Sequence, residues 1–359
     1  MTSIDEIADS AQDSATSVAG PTNRPSGWRR AAHALSFSNV SALYVFAVIF
    51  VVFALWIPET FLKVDTWKAM IDSQVVTAMA AIGLTIALAA GVFDLAIGAE
   101  LGFGAILAAW LVSEGGVPVI PAILLTLLAG GLVGVVNGIL VVRFKIESFI
   151  ATLGVSSVLL AMIAWISGSK QMLGLPKSFQ TLGTTRWFGF TVAVFIMLAV
   201  SLVAWYVMAR TPVGRRVYAT GGNIEAAKLA GVRTKWVVVG SLITCGAIAA
   251  FGGVLVSSRL GTGDPSIGPP YLLAAFSATF LGSTQFRGGR FNIWGTVLAV
   301  YVLATGVKGL QLAGAPIWIP NLFNGLALLI AVGAAKHERT AHKAGAIRRM
   351  IRRGSAERA

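Results

Sequence analysis

A chain of 359 residues that is 56% hydrophobic and only 12% charged has too little polar material to cover a water-soluble globule. The formal net charge of +13 raises nucleic acid as a partner, but eight of the Lys and Arg residues crowd between Lys336 and Arg358, after the last apolar segment. There they suit an anionic cytoplasmic leaflet or simply fix orientation, and the composition describes a multi-spanning membrane protein with membrane lipids and no nucleic acid as partners.

Residues 1–41 carry Asp5, Glu6, Asp9 and Asp13, then Arg24, Arg29 and Arg30, with no apolar stretch before Leu43. The expectation is a disordered cytoplasmic tail without a cleavable signal peptide. Ten apolar segments follow, at 42–58, 75–90, 95–112, 117–142, 149–167, 190–209, 236–257, 271–282, 291–312 and 317–335. Lipid offers no partner for backbone polar groups, so each must be helical. The second and eighth are short and bounded by glycine, which gives eight to ten spans. The fold class is therefore an all-α polytopic bundle, with a membrane domain over 42–335 and a basic cytoplasmic tail over 336–359. With both termini inside, 21 of the 28 Lys and Arg residues are cytoplasmic and 7 are outside, as the positive-inside bias requires.

In "GVFDLAIGAELGFG", Asp94 and Glu100 are the acids least comfortably placed, since an ionisable residue at membrane depth usually faces a cavity or a partner. Asp94 precedes a helical run and is suited to capping it. Six residues separate it from Glu100, which does not put the two on one helix face and makes a weak proton-relay signal. Gly130, Gly134 and Gly138 repeat every fourth residue, as do Gly98 and Gly102, and this spacing lets helix backbones approach closely. Asn137, beside Gly138, either hydrogen-bonds across helices or lines a path. The outer loop 168–189 holds Lys170, Lys177 and Arg186 without an acid: a solvated loop, or a docking surface for an acidic external partner.

The segment 210–235 is a polar island. Gly221 and Gly222 are expected to break the chain, Asn223 to cap a helix starting at Ile224, and Gly231 to end it. Glu225 favours the positive end of this helix and Lys228 the negative end. A helix of about two turns is marginal alone. It needs either a partner groove, to which Ala226, Ala227 and Leu229 offer a small apolar face, or a bed of lipid headgroups. The single cysteine, Cys245, lies in an apolar run, and His33, His337 and His342 all fall in the tails, so neither a disulfide framework nor a metal cluster is expected and no catalytic role is assigned. No Gly-Lys dipeptide occurs, so a nucleotide-binding P-loop of the usual kind is absent.

The stretch "GRRVYATGGNIEAAKLAGV" resembles the cytoplasmic coupling segment of bacterial ABC importer permeases of the ribose, xylose and galactose type. "GVFDLAIGAELGFGAILAA", "VVNGILVVRFKIESFIATLG" and "FLGSTQFRGGRFNIWGTVLAV" are similar to three further motifs of that family in the same order. The resemblance covers about 75–333. It implies a permease subunit, not an enzyme and without cofactor, that works as a homodimer or pseudo-dimer in the bacterial inner membrane. A periplasmic solute-binding protein would deliver a monosaccharide or similar small polar solute, and a separate cytosolic ATPase would drive its passage. Arg215, Asn223, Glu225, Ala226, Ala227, Leu229 and Gly231 would then form the ATPase-coupling surface. Asp94, Asn137, Thr152, Ser283 and Gln285 are assigned to the translocation path from polarity and position alone. Ala96 and Glu100 depart from the family pattern. An ion-coupled secondary transporter using Asp94 or Glu100, and an importer permease for a non-sugar cargo, remain the alternatives.

Overall fold

The computed structural model describes residues 41–285 and 290–333. The N-terminal tail, the basic tail and the side chain of Gln285 lie outside the described residues, and with them the expectations for His33, His337 and His342. In chain order the helices are α1 (Ser41–Trp56), α2 (Pro58–Phe61), α3 (Val64–Ser73), α4 (Val75–Ala89), α5 (Ile97–Ser113), α6 (Val119–Val142), α7 (Ser148–Ser167) and α8 (Lys177–Thr184). A two-stranded hairpin, β1 (Arg186–Trp187) and β2 (Phe190–Thr191), leads into α9 (Val192–Arg210), α10 (Pro212–Gly222), α11 (Ile224–Leu229), α12 (Thr234–Leu260), α13 (Pro269–Gln285) and α14 (Ile293–Leu312). A last apolar helix, α15, covers Ile319–Gly333.

A helix stands on each of the ten apolar segments. Five of them, α6, α7, α9, α12 and α14, are long and apolar enough to cross a membrane singly, and α3 with α4 makes a sixth candidate bent by 43°. The chain is all-α and polytopic. The bend falls at Gln74, whose backbone stays helical, so the polypeptide turns without unwinding.

The packing follows from which helices carry polar or small faces. Every residue of α4 is buried, and α9, α12, α13 and α14 surround it. On α6 the two faces are written in four-residue steps. Ile120, Leu124, Leu128 and Leu132 are exposed and form the lipid-facing stripe, whereas Gly130, Gly134 and Gly138 turn toward α12. A methyl group on Gly134 would meet the backbone of Leu242 and Ile243, and one on Gly138 would lie 3.1 Å from the Val239 Cα. With lipid on one side as apolar as leucine itself, this close backbone contact supplies much of the association. Gly98 and Gly102 do the same against Gly268. Phe46, Phe50, Phe61 and Trp67 interlock α1 with α2 and α3, ring centroids lying 5.3 to 6.3 Å apart.

Candidate functional site

The polar island forms two helices. Gly221 and Gly222 do not break the chain as expected: they complete α10, and the break comes one residue later at Asn223, which is extended with φ −157°. The reason is tertiary. A Cβ on Gly221 would collide with the carbonyls of Ala89 and Ala90, so glycine is needed there to let α10 press on the end of α4. Tyr218 Oη donates to the Phe291 carbonyl at 2.7 Å and ties α10 to the start of α14.

Asn223 caps α11 as expected, its Oδ1 accepting the N–H groups of Glu225 and Ala226 at 3.1 and 3.0 Å. Gly231 takes the left-handed conformation, φ +79°, that ends the helix. Lys228 and Glu225 pair at 2.8 Å on the exposed side. The apolar face differs from the expectation in one residue. Ala227 turns inward and is buried, whereas Leu229 is 91% exposed and Ile224, at the other end of the helix, is exposed as well. Leu229 is thus a large apolar side chain presented to solvent on a capped, anchored helix. Arg215 is also exposed, on α10.

Between α9, α10 and α12, next to this segment, opens a cleft of about 1340 Å³ lined by Val203, Val207, Gly231 and Trp236, with Arg216 and Arg233 among its lining residues. Gly231 therefore ends α11 and borders the cleft.

Asp94, Glu100 and Asn137 come together where helix spacing does not place them. Asp94 lies in the non-helical turn between α4 and α5, so the six-residue arithmetic that separated it from Glu100 does not apply. One donor atom each of Asp94, Glu100 and Cys245 lie within 4.8 Å of one another, all fully buried. Asp94 Oδ1 accepts the Ala96 N–H at 3.0 Å, a bond to the residue ahead of α5 rather than to its first turn, and the α5 N-cap position, Ala96, carries no side-chain cap bond. Asn137 reaches across from α6, its Nδ2 donating to Glu100 Oε1 at 3.2 Å. Cys245, on α12, stands in the apolar core with its sulfur close to the two acids, a proximity that its apolar run alone does not show. One-dimensional spacing carried no signal for this, because the three residues lie on different elements.

Thr152 is buried and structural in its bonding, accepting the Leu95 N–H at 3.0 Å and donating to the Ser148 carbonyl at 2.8 Å. Ser283 and Gln285 lie in α13, and Ser283 donates to the Phe280 carbonyl of its own helix. These path residues do not converge with Asp94 and Asn137 through any hydrogen bond among the described residues.

The loop 168–189 is ordered. Met172 pairs with Gly263, Ser258 Oγ donates to the Phe179 carbonyl at 2.6 Å, and Gln171 donates to Asp264 at 3.0 Å. Hydrogen bonds from Ser266 hold the Asp264 carboxyl below its ordinary value. Its folded pKa being the lower one, what these bonds contribute is complete above the unfolded value of about 3.9 and is lost as pH falls through the folded value. Lys170, Lys177 and Arg186 are all exposed, and Phe188, at the hairpin tip, is 94% exposed.

Residues 70–332 match the family described as branched-chain amino acid transport system / permease component. The ribose import permease protein of Haemophilus influenzae is 29% identical over 293 residues, 80% of this chain and 90% of that protein. The ribose import permease protein of Bacillus subtilis is 32% identical over 259 residues, 72% of this chain and 80% of its own. The D-allose transport system permease protein of Escherichia coli is 28% identical over 279 residues, 78% and 86% respectively. No solved structure matches.

Proposed function

This chain belongs to the branched-chain amino acid transport system / permease component family, and from that premise we propose that it is the membrane permease subunit of an ATP-driven importer in the bacterial inner membrane, carrying a monosaccharide. The named relatives are permeases for ribose and allose, which favours a sugar over the amino acid of the family's description. The single observation that carries the coupling reading is α11: a capped six-residue helix, latched to the bundle through α10, that presents Leu229 to solvent.

In this reading the ten apolar helices cross the membrane with both termini inside, and two copies of the chain form the channel. A cytosolic ATPase receives Ile224, Glu225 and Leu229 in a groove. Closure of the ATPase pair on ATP pulls α11, and the pull passes through Tyr218 to Phe291 and through Gly221 to the end of α4, the helix at the centre of the bundle. The permease makes and breaks no covalent bond. Co-expression with its ATPase and reconstitution into proteoliposomes, with labelled ribose and a binding protein outside, tests this directly. Uptake that needs ATP supports it, and uptake driven by an ion gradient without any ATPase replaces it with the secondary-transporter reading.

The outer loop is proposed as the seat of the periplasmic solute-binding protein. Its cations are exposed on a braced scaffold, with Phe188 and Trp187 as apolar contacts. Charge reversal at Lys170, Lys177 and Arg186 together is expected to slow association about tenfold or more at low salt, with a smaller effect at high salt. Stopped-flow binding to the reconstituted permease reads this, and equal rates for both proteins at every ionic strength would return the loop to a solvated connection.

A further inference from the structure

The buried acids need a counterpart that the importer reading does not supply. Asp94, Glu100 and Asn137 are each fully buried, yet Asp94 Oδ2, Glu100 Oε2 and Asn137 Oδ1 have no hydrogen-bond partner. Asn137 is aimed into the cluster, because its own Nδ2 is held on Glu100. The only ion pair among the described residues is Lys228 with Glu225 at the surface, so no basic side chain neutralises the two carboxylates. The Cys245 sulfur completes a set of four donors from four elements: the α4–α5 turn, α5, α6 and α12.

We propose that Asp94, Glu100, Asn137 and Cys245 form a buried site for a divalent transition metal of the zinc class. The donor chemistry selects the ion. Calcium and magnesium take six or more oxygen ligands, whereas four donors including one sulfur suit a tetrahedral, borderline-soft ion. Metal–oxygen bonds of about 2.0–2.2 Å and a metal–sulfur bond of about 2.3 Å put tetrahedral ligands roughly 3.3–3.8 Å apart. The donor atoms of Asp94, Glu100 and Cys245, already within 4.8 Å of one another, reach that by small rotations of side chains, and Asn137 is held beside them by its 3.2 Å bond to Glu100. Two positive charges offset two of the three negative ones carried by the two carboxylates and the thiolate that Cys245 becomes on binding, and the ion gives each orphaned oxygen a partner.

The placement gives the site a consequence. The α4–α5 turn that carries Asp94 also carries Gly91, where a methyl group would lie 3.1 Å from the Gly221 Cα of α10. A metal would fasten this turn to α6 and α12 directly beneath the coupling segment. It would act as a structural fastener, with no part in moving solute.

The test uses the full chain, purified in detergent through an affinity tag that contains no histidine. Elemental analysis is expected to find about one zinc per chain. Because Cys245 is the only cysteine, reloading with Co²⁺ should give a thiolate-to-cobalt charge-transfer band that reports this site alone. Cys245→Ser should remove the band, and Glu100→Gln should weaken metal binding at least tenfold, while both variants still insert in the membrane. Chelation should lower the melting temperature of the native chain and leave that of Cys245→Ser unchanged. Three results each overturn the proposal: no metal and no cobalt band in the native chain, metal retained in full by Cys245→Ser, or a higher melting temperature for Glu100→Gln without metal. The last would mean that the two acids share a proton. These readouts are independent of ATP-driven uptake, so the site and the importer reading fail separately.

Discussion

Replacing Leu229 with aspartate leaves the permease inserted and folded but lowers its affinity for the ATPase by at least tenfold. The asymmetry follows from exposure. At 91% exposed, Leu229 contributes almost no packing to the permease itself, so its loss falls within the small range typical of surface substitutions. A large apolar side chain at the exposed end of a docked helix is another matter, since such anchors contribute about 2 kcal/mol or more and every 1.4 kcal/mol is tenfold in affinity. Glu225→Arg is expected to act in the same direction, through loss of the 2.8 Å pair with Lys228 and a positive charge at the helix start. Gly231→Trp should uncouple differently. Space is open around Gly231, but its φ of +79° costs a non-glycine residue about 1–2 kcal/mol, which shifts the end of α11 where it meets the cleft. Titrating ATPase onto the permease in nanodiscs, beside thermal unfolding of the permease alone, separates docking from folding. Native affinity for Leu229→Asp, with uptake intact, removes α11 from the coupling role.

Much of this architecture was legible because membrane helices announce themselves by apolar length, and backbone groups in lipid leave no other structure open. The local capping of α11 was legible too: Asn223 and Gly231 act through their own backbone and need no knowledge of neighbours. Gly221 misled for the opposite reason. Taken alone, two glycines read as a break, but here glycine at 221 answers to the carbonyls of Ala89 and Ala90, 132 and 131 residues earlier in the chain. Asp94, Glu100 and Cys245 escaped for a related reason. Helix spacing compares residues on one helix, and a turn residue, a residue of α5 and one of α12 share no spacing at all. The four-residue glycine rhythm on α6 sits between these cases, since it named the close face without naming α12 as its partner.

That partner gives the second large effect. Gly253→Ala is expected to destabilise the bundle by about 2 kcal/mol or more, whereas Gly240→Ala, the same change on the same helix, is neutral or stabilising. On α12, Gly253 faces α5, and an added methyl would meet backbone rather than a flexible side chain: the Leu101 carbonyl, the Ala105 nitrogen at 2.5 Å and the Gly104 carbonyl carbon at 2.9 Å. Gly104 answers in kind, since its own methyl would lie 2.6 Å from the Ala250 Cα. Neither helix can yield locally, so the two must separate along their length and loosen the contacts on both sides. Around Gly240 nothing lies within 4 Å, and there alanine gains its usual helix preference of up to about 1 kcal/mol. Thermal unfolding in detergent, followed by size-exclusion profile, measures both. Because helices in lipid have no hydrophobic force to draw them together, the lost contact has little to replace it. Equal melting temperatures for the two variants would mean that α5 and α12 are not in backbone contact at Gly253, and the glycine seams would lose their place as the adhesive of this fold.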